Sequence, residues 1–245
     1  MDDAICRPER GLYPDRVQII IPRRFEGIEG MAQGGHLAGL VAQTLEADIA
    51  VRFRRPCPLD TPLELEANGD GHVLTHGDTT ILEASVADDH LPAAPPPVTM
   101  RDAEEGRRWA EDQPFAQNIR TCFSCGDSSH SLKVHAGLID GSDLAASPFT
   151  YPEWMALDGV VEPRFVWAPI DCAAGWRVSL GPNSRPAVTG GLRVTITDLP
   201  RPGEPLIAVA SAGDWTGRTR SARSAIYRED GGLIAAAESI WVAIG

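Results

Sequence analysis

The first half of the chain combines one hydrophobic pattern of helical spacing with several of strand spacing. Residues 30–45 carry apolar side chains at intervals of three and four, which predicts a buried helix. The flanking stretches are short apolar runs or alternate between apolar and polar side chains, which is typical of strands. These predicted strands cover residues 17–22, 48–56, 63–67 and 79–86. The first half is therefore expected to be a strand, one long helix and a run of antiparallel strands.

The second half repeats that order after a proline-rich break. Residues 91–98 predict a stiff, extended linker, and a polar segment with helical tendency follows it. A strand region is then expected from residue 132 and a helix over residues 165–176. Further strands are predicted at residues 192–197, 206–210, 218–227 and 233–242. Such self-similarity indicates a duplication into units 1–90 and 121–245, joined by a linker over 91–120.

Composition and charge narrow the class of protein. The chain has 245 residues, of which 43% are hydrophobic and 23% charged, as in soluble globular proteins. A formal net charge of −12 argues against nucleic acid and anionic membrane surfaces as partners. The N-terminal segment has no apolar signal core, and the five cysteines form no disulfide-like framework. A cytoplasmic protein is expected, and the sequence leaves a homo-oligomer open.

The start of the first predicted helix is nearly bare of side chains. Gly34 and Gly35 precede the apolar positions of the helix. A bare helix N-terminus presents unpaired N–H groups and the positive end of the helix dipole, which suits a carbonyl or phosphate oxygen. The alternative is a tight turn that simply leads into a buried helix.

Four segments carry a resemblance to a known family. They are Gln33-Gly-Gly-His-Leu-Ala38, Arg52-Phe-Arg-Arg-Pro56, Cys122-Phe-Ser-Cys-Gly126 and Ile170-Asp-Cys-Ala-Ala-Gly-Trp176. Together they resemble a tandem of bacterial hotdog acyl-CoA thioesterases. The resemblance implies an α+β double hotdog fold, in which two long helices are each wrapped by a curved antiparallel β-sheet.

The resemblance also implies a site and an activity. In hotdog thioesterases, backbone N–H groups at the glycine-led helix start hold the thioester carbonyl, and an acidic residue of the partner unit's helix acts as base or nucleophile. Here the matching residues are Gly34, Gly35 and Asp171. The family's acid lies about two helical turns, roughly 10 Å, beyond its own glycines, so the two parts must come from different helices. Hydrolysis of an acyl-CoA or acyl-carrier thioester, without a cofactor, is the expected activity.

The two halves differ at these positions in a complementary way. Asp171 follows Arg164 by seven residues, whereas Ala42 occupies the same place after Gly35. The second half has Pro163 and Arg164 where the first has the glycine pair, and proline has no N–H to donate. One competent site per chain is therefore predicted, with Gly34 and Gly35 facing Asp171.

Three further residues are candidates for contact with the substrate. Gln33 stands where the family has histidine, His36 follows the glycine pair, and Trp167 precedes Asp171 by one turn. His36 alternatively covers the helix, and Trp167 alternatively belongs to the core. Pro169 predicts either that the second helix begins near it or that the helix is kinked. A carboxylate near a helix start would be held ionised by the dipole.

A cysteine and histidine spacing offers one more alternative. Cys122, Cys125, His130 and His135 show the C-x2-C-x4-H-x4-H spacing of a zinc knuckle. The thioesterase motif has the same cysteines, as a rule without a metal, so no metal is expected. A non-catalytic acyl-CoA-binding protein stays open as an alternative function. A hydratase is disfavoured, because the Asp and His pair that its chemistry needs is not found in the sequence.

Overall fold

A computed structural model describes residues 16–28, 30–88, 90–117, 119–181 and 183–244. The N-terminal segment, on which part of the cytoplasmic prediction depends, lies outside the described residues. The helices are α1 Gly34–Leu45, α2 Met100–Glu111, α3 Pro114–Gln117 and α4 Pro163–Ser179. The strands are β1 Arg16–Ile20, β2 Ile49–Phe53, β3 Pro62–Asn68, β4 Gly71–His76, β5 Thr79–Val86, β6 Gly137–Leu138, β7 Ala145–Phe149, β8 Ala156–Leu157, β9 Val160–Val161, β10 Ala187–Ile196, β11 Leu206–Thr216, β12 Thr219–Arg228 and β13 Leu233–Ala243. No described helix has both the length and the apolar character needed to cross a membrane.

One antiparallel sheet of eleven strands carries both halves of the chain. Its order is β1-β3-β4-β5-β2-β10-β13-β12-β11-β7-β6, and β8 pairs with β9 separately. The strand that follows α1 and the strand that follows α4 are central neighbours, joined by Leu192↔Val51 and the two pairs that flank it. Outward from this seam the strands follow the same order on both sides. The repeat seen in the sequence therefore reappears as a repeated strand order.

The helices α1 and α4 approach each other closely enough for their backbones to touch. A Cβ atom at Gly35 would lie 2.3 Å from the carbonyl oxygen of Trp167, and one at Gly39 would lie 2.3 Å from that of Arg164. Only glycine permits such an approach at both positions. The contact holds the first turns of α1 against the first half of α4, and this placement decides which side chains meet.

Helix α4 has the longest buried stretch among the described helices. Every residue from Phe165 to Val178 is buried. The helix begins at Pro163, where the fixed φ of proline suits the first helical position. Pro169 lies inside the helix, so the prediction that the helix begins near Pro169 is wrong. Asp171 is consequently well removed from the positive end of α4.

The strand prediction differs from the structure at β4, in the region from residue 132, and at β7, β8 and β9, which it does not name. Strand β4 was not expected, because its short sequence between Gly69 and Gly77 has little apolar alternation. The strand region expected from residue 132 begins only with β6. The backbone before β6 instead pairs with the cysteine turn, as in the bond from the Leu132 N–H to the Phe123 carbonyl at 3.1 Å.

The segment after the proline-rich stretch is a packed helix. In α2 a capping box links Thr99 and Asp102, and the small residues Ala103, Gly106 and Ala110 are buried. A Cβ atom at Gly106 would lie 2.8 Å from the carbonyl oxygen of Gly137 in β6. The polar segment therefore belongs to the folded body, since its small-residue face lies against the sheet.

Candidate active site

The carboxylate of Asp171 lies against the start of α1. Its Oδ2 accepts hydrogen bonds from the Gly35 N–H and from Nε2 of Gln33, each at 3.0 Å. Its Oδ1 accepts a hydrogen bond from the hydroxyl of Thr189 at 2.9 Å. The side chain is only 3% exposed. Three donors from two other elements therefore fix one buried carboxylate.

Burial and hydrogen bonding act in opposite directions on this carboxylate. Desolvation raises the pKa of Asp171 to about 6, against the hydrogen bonds from Thr189, Gly35 and Gln33, which lower it. A carboxyl group with this pKa is mostly ionised at neutral pH and can still accept a proton. The ionised state depends on these donors, because α4 begins at Pro163 and its dipole is remote.

The N–H groups in the first turn of α1 differ in whether they have a hydrogen-bond acceptor. The His36 N–H donates to Oε1 of Gln33 at 2.5 Å, so this side chain caps the helix. The Gly35 N–H donates to Asp171. It is therefore not a vacant donor for a thioester carbonyl, contrary to the role that the resemblance implies. Within the described part of the chain, the Gly34 N–H has no hydrogen-bond acceptor.

Partly exposed residues lie beside the buried carboxylate. A Cβ atom on this glycine would lie 3.5 Å from Oδ2 of Asp171 and 3.6 Å from the ring of Phe53. Gly34, Phe53 and Thr189 are each partly exposed, whereas Asp171 and Gly35 are buried. On this side the carboxylate is covered by a residue that has no side chain.

His36 and Trp167 occupy packed positions. The His36 ring stacks on Phe25 at 3.9 Å and on Phe165 at 5.7 Å between ring centroids. Burial lowers the pKa of His36 to about 3, so the ring is neutral. Trp167 belongs to the main core and lies against Gly35 and Gly39. Both placements agree with the alternatives of helix covering and core packing, and contact of either residue with the substrate stays a prediction.

Thr189 is a site residue that the sequence did not point to. It lies in β10, next to a shift in the strand register between Thr189 and Gly191. A register shift of this kind redirects side chains, and here it accompanies a hydroxyl aimed at Asp171. The only local signal is a threonine before two glycines, which is not specific for a site.

The corresponding place at the start of α4 is built differently. Pro163 and Arg164 replace the glycine pair, and Glu162 precedes them without capping the helix by its side chain. Nε2 of Gln43 donates to Glu162 at 3.1 Å. The α1 residue that corresponds to Asp171 is Ala42, which carries no carboxylate. The arrangement around Asp171 is therefore not repeated at this second helix start.

The zinc-knuckle alternative is wrong in its set of ligands. Sγ of Cys122 lies 3.1 Å from Sγ of Cys125 and 3.8 Å from Sγ of Cys172. Neither histidine joins these sulfur atoms in the described structure. Nε2 of His135 lies 2.9 Å from the carbonyl oxygen of Cys125. The sequence spacing missed Cys172 because it lies 47 positions beyond Cys125 on another element.

An open groove of about 1160 Å³ crosses the sheet at the seam between β2 and β10. Its lining includes the exposed Arg52 and Arg223 together with Gly190 and Gly191. Asp171 does not line this groove. Gly190 in the groove directly follows Thr189, which contacts Asp171. The groove and the site are therefore adjacent along β10.

Solved structures resemble this chain over nearly its full length. A candidate thioesterase II from Thermobifida fusca matches with a TM-score of 0.61 and 16% identity, over 94% of each chain. A hot dog fold protein of unknown function from Alicyclobacillus acidocaldarius matches with a TM-score of 0.56 and 13% identity, over 96% of this chain and 95% of the other. This protein has a hotdog fold.

A third structure agrees with the same assignment of the fold. It is a candidate thioesterase from Novosphingobium aromaticivorans, with a TM-score of 0.58 and 14% identity, over 94% of this chain and 96% of the other. No family model and no curated protein sequence matches the chain. The comparisons therefore establish a large antiparallel sheet with a few helices in the hotdog arrangement, and the activity has to be argued from the site.

Proposed function

We propose that the protein is a thioesterase that hydrolyses acyl-CoA or acyl-carrier thioesters at one site per chain. The site lies between two hotdog units, residues 1–90 and 121–245, joined by residues 91–120, of which helix α2 packs on the sheet. The observation that carries the proposal is the 3.0 Å contact between the Asp171 carboxylate and the Gly35 N–H at a glycine-led helix start. Neighbours described as thioesterases share the fold and support the same reaction class.

The chemistry starts from the ionised carboxylate. Asp171 takes a proton from a water molecule as the water oxygen bonds to the thioester carbon and the carbonyl electron pair moves onto oxygen. The Gly34 N–H donates to that developing oxyanion, a type of interaction that contributes several kcal/mol. The tetrahedral intermediate then collapses, the carbon–sulfur bond breaks, and the departing sulfur takes the proton from Asp171. Water and thioester give a carboxylic acid and a thiol.

The other three donors act on Asp171 rather than on the substrate. Gly35, Gln33 and Thr189 all donate to the charged form of the carboxylate. They hold it in one orientation and keep its pKa from rising further with burial. In this proposal Gly35 is a positioning residue, and Gly34 supplies the donor that the carbonyl requires.

The test is a panel of acyl-CoA thioesters, followed through loss of the thioester absorbance. Asp171→Asn keeps the shape of the side chain and removes the base, so turnover should fall about 10²- to 10⁴-fold. Glu162→Gln, at the start of the other helix, is the matched control and should retain full turnover. Equal turnover in the wild type and Asp171→Asn would remove Asp171 from the mechanism.

A non-catalytic acyl-CoA-binding protein is the second candidate. The observation in its favour is that the Gly35 N–H donates to the carboxylate of Asp171, which is itself almost fully buried. Calorimetry with a non-hydrolysable thioether analogue of acyl-CoA separates the two functions. Binding of the analogue together with no release of thiol from any thioester in the panel would favour this second candidate.

A further inference from the structure

Three thiols from two separate parts of the chain converge beside α4. Cys122 and Cys125 lie in the turn before β6, and Cys172 lies on α4. Their sulfur atoms all lie within 4.8 Å of one another. The exposed fractions of Cys122, Cys125 and Cys172 are 4%, 5% and 8%. None of the three has a role in the thioesterase proposal, and the inference below does not depend on that proposal.

The backbone of the cysteine turn is fixed in a shape that serves the sulfur atoms. The Cys125 N–H donates to Sγ of Cys122 at 3.3 Å, and the Gly126 N–H donates to the Cys122 carbonyl at 2.7 Å. A Cβ atom at Gly126 would lie 2.4 Å from the carbonyl oxygen of Arg120, so the turn needs glycine there. The ring of His135 contacts the Cys125 carbonyl at 2.9 Å. Both sulfur atoms are thereby held toward α4.

The sulfur atoms are close enough together to share a metal ion, and one of their separations has the tetrahedral value. Tetrahedral zinc with sulfur ligands at about 2.3 Å places its sulfur atoms about 3.8 Å apart. Cys122 and Cys172 are 3.8 Å apart at Sγ, whereas Cys122 and Cys125 are 3.1 Å apart and would have to separate slightly when the ion binds. A disulfide between any two of the thiols would leave the third as an unbonded buried thiol. A soft cation can bind all three sulfur atoms.

We infer that Cys122, Cys125 and Cys172 bind one thiophilic divalent cation of the zinc class. Binding forms three metal–sulfur bonds, and the three thiol protons leave to solvent. In the described part of the chain no fourth cysteine, histidine or acidic residue joins the cluster, so water completes the tetrahedron. The ion ties the cysteine turn to α4 directly beside Gln33, whose Nε2 lies 3.5 Å from Sγ of Cys172.

The experiment titrates the reduced, metal-stripped full-length protein with Co²⁺, which reports thiolate ligation through its charge-transfer absorbance. One equivalent should bind to the wild type. Cys57→Ser is the matched control, because Cys57 is also a buried free thiol but lies outside the cluster. Cys125→Ser and Cys172→Ser should each bind Co²⁺ about 100-fold more weakly or not at all, since a thiolate ligand is lost.

Two results would overturn the inference. One is a folded, reduced wild type that gives no thiolate-to-cobalt absorbance. The other is binding by Cys125→Ser and Cys172→Ser that is as tight as binding by Cys57→Ser. Where Cys172→Ser fails to fold by circular dichroism, Cys172→Ala replaces it. Thermal melting with added Zn²⁺ gives a second readout: Zn²⁺ should raise the Tm of the wild type and leave that of Cys125→Ser unchanged.

Discussion

Asp171 and Gly35 lie 136 positions apart in the sequence, and the carboxylate of one accepts the backbone N–H of the other at 3.0 Å. The contact exists because Gly35 and Gly39 let α1 press its backbone onto α4. Gly35 therefore contributes both to the packing of the helices and to the surroundings of the buried acid, whereas Gly34 lies beside the acid at ordinary contact distances. For this reason substitutions at Gly34 and Gly35 have different expected effects.

Gly34→Ala should impair catalysis without unfolding the protein. The added methyl group would meet Oδ2 of Asp171 at 3.5 Å and the Phe53 ring at 3.6 Å, which are ordinary contact distances. In the proposed mechanism it would occupy the space of the substrate carbonyl and keep that oxygen from the Gly34 N–H, which the variant retains. We expect thioester turnover about 10²-fold lower, as for an oxyanion donor that is out of reach. Thermal melting should give a Tm close to that of the wild type.

Gly35→Ala should have the opposite balance of effects. Its methyl group would lie 2.3 Å from the Trp167 carbonyl oxygen, so the two helix backbones must separate. We expect the free energy of unfolding to fall by about 1–3 kcal/mol, as for other overpacked positions. Urea denaturation measures it, with Gly34→Ala as the control. Equal free energies of unfolding for Gly35→Ala and Gly34→Ala would contradict the close approach of α1 and α4.

Thr189→Val should shift the pH dependence of hydrolysis. The Thr189 hydroxyl lowers the pKa of Asp171, so its removal raises that pKa above about 6. Because the carboxylate must be ionised to act as a base, the acidic limb of the kcat/KM profile should move to higher pH. At pH 6.5 the rate should drop about tenfold and recover above pH 8.

The profile is measured from pH 5 to pH 9 on metal-stripped protein in the presence of a chelator. Thr195→Val is the control, since it lies on the same strand but about 20 Å from Thr189 along it. Identical profiles for the wild type and Thr189→Val would show that the hydroxyl does not act on the base. A loss of rate that is the same at every pH would indicate a purely structural effect.

His36 should make the fold sensitive to acid. Its pKa is about 3 in the folded protein against 6.5 in a free side chain, so the unfolded chain binds an additional proton between these pH values. Stability from the neutral ring is therefore complete above pH 6.5 and is lost as the pH falls toward 3. This group should lower the free energy of unfolding by up to about 1.4 kcal/mol per pH unit in that window.

His36→Phe isolates this contribution, because phenylalanine keeps the stacking on Phe25 and Phe165 but has no proton to bind. Urea denaturation at pH 7, 5.5 and 4 measures the free energy of unfolding of both proteins. The wild type should lose more stability than the variant over this range, since the other titrating groups are common to both. Parallel losses would contradict a buried, neutral His36.

Gly106→Ala should show that the segment after the proline-rich stretch belongs to the fold. A Cβ atom there would lie 2.8 Å from the Gly137 carbonyl oxygen and 2.9 Å from that of Ala146. We expect a loss of about 1–3 kcal/mol in the free energy of unfolding. The exposed Glu104→Ala on the same helix should change it by less than about 0.5 kcal/mol. Equal free energies of unfolding for the two variants would contradict the packing of α2 against the sheet.

The hydrophobic pattern predicted most of the elements because helix and strand periods are local properties of the chain. The helix expected to end near residue 45 is α1, and the alternating strands after it are β2, β3 and β5. The pattern failed where packing decides the outcome. Pro169 is accommodated inside α4, and the region before β6 pairs with the cysteine turn. Neither arrangement follows from the order of apolar and polar residues.

The sequence by itself determined the glycine-led start of α1 and the asymmetry of the halves, in which Ala42 stands where the second half has Asp171. These are properties of residue type and spacing, and the resemblance of the motifs added the hotdog type of fold. Only the tertiary structure decided that the Gly35 N–H goes to the carboxylate, that Thr189 joins it, and that Cys172 completes the group of thiols. Each of these contacts joins separate elements, and their distances depend on how closely α1, α4 and the sheet can pack.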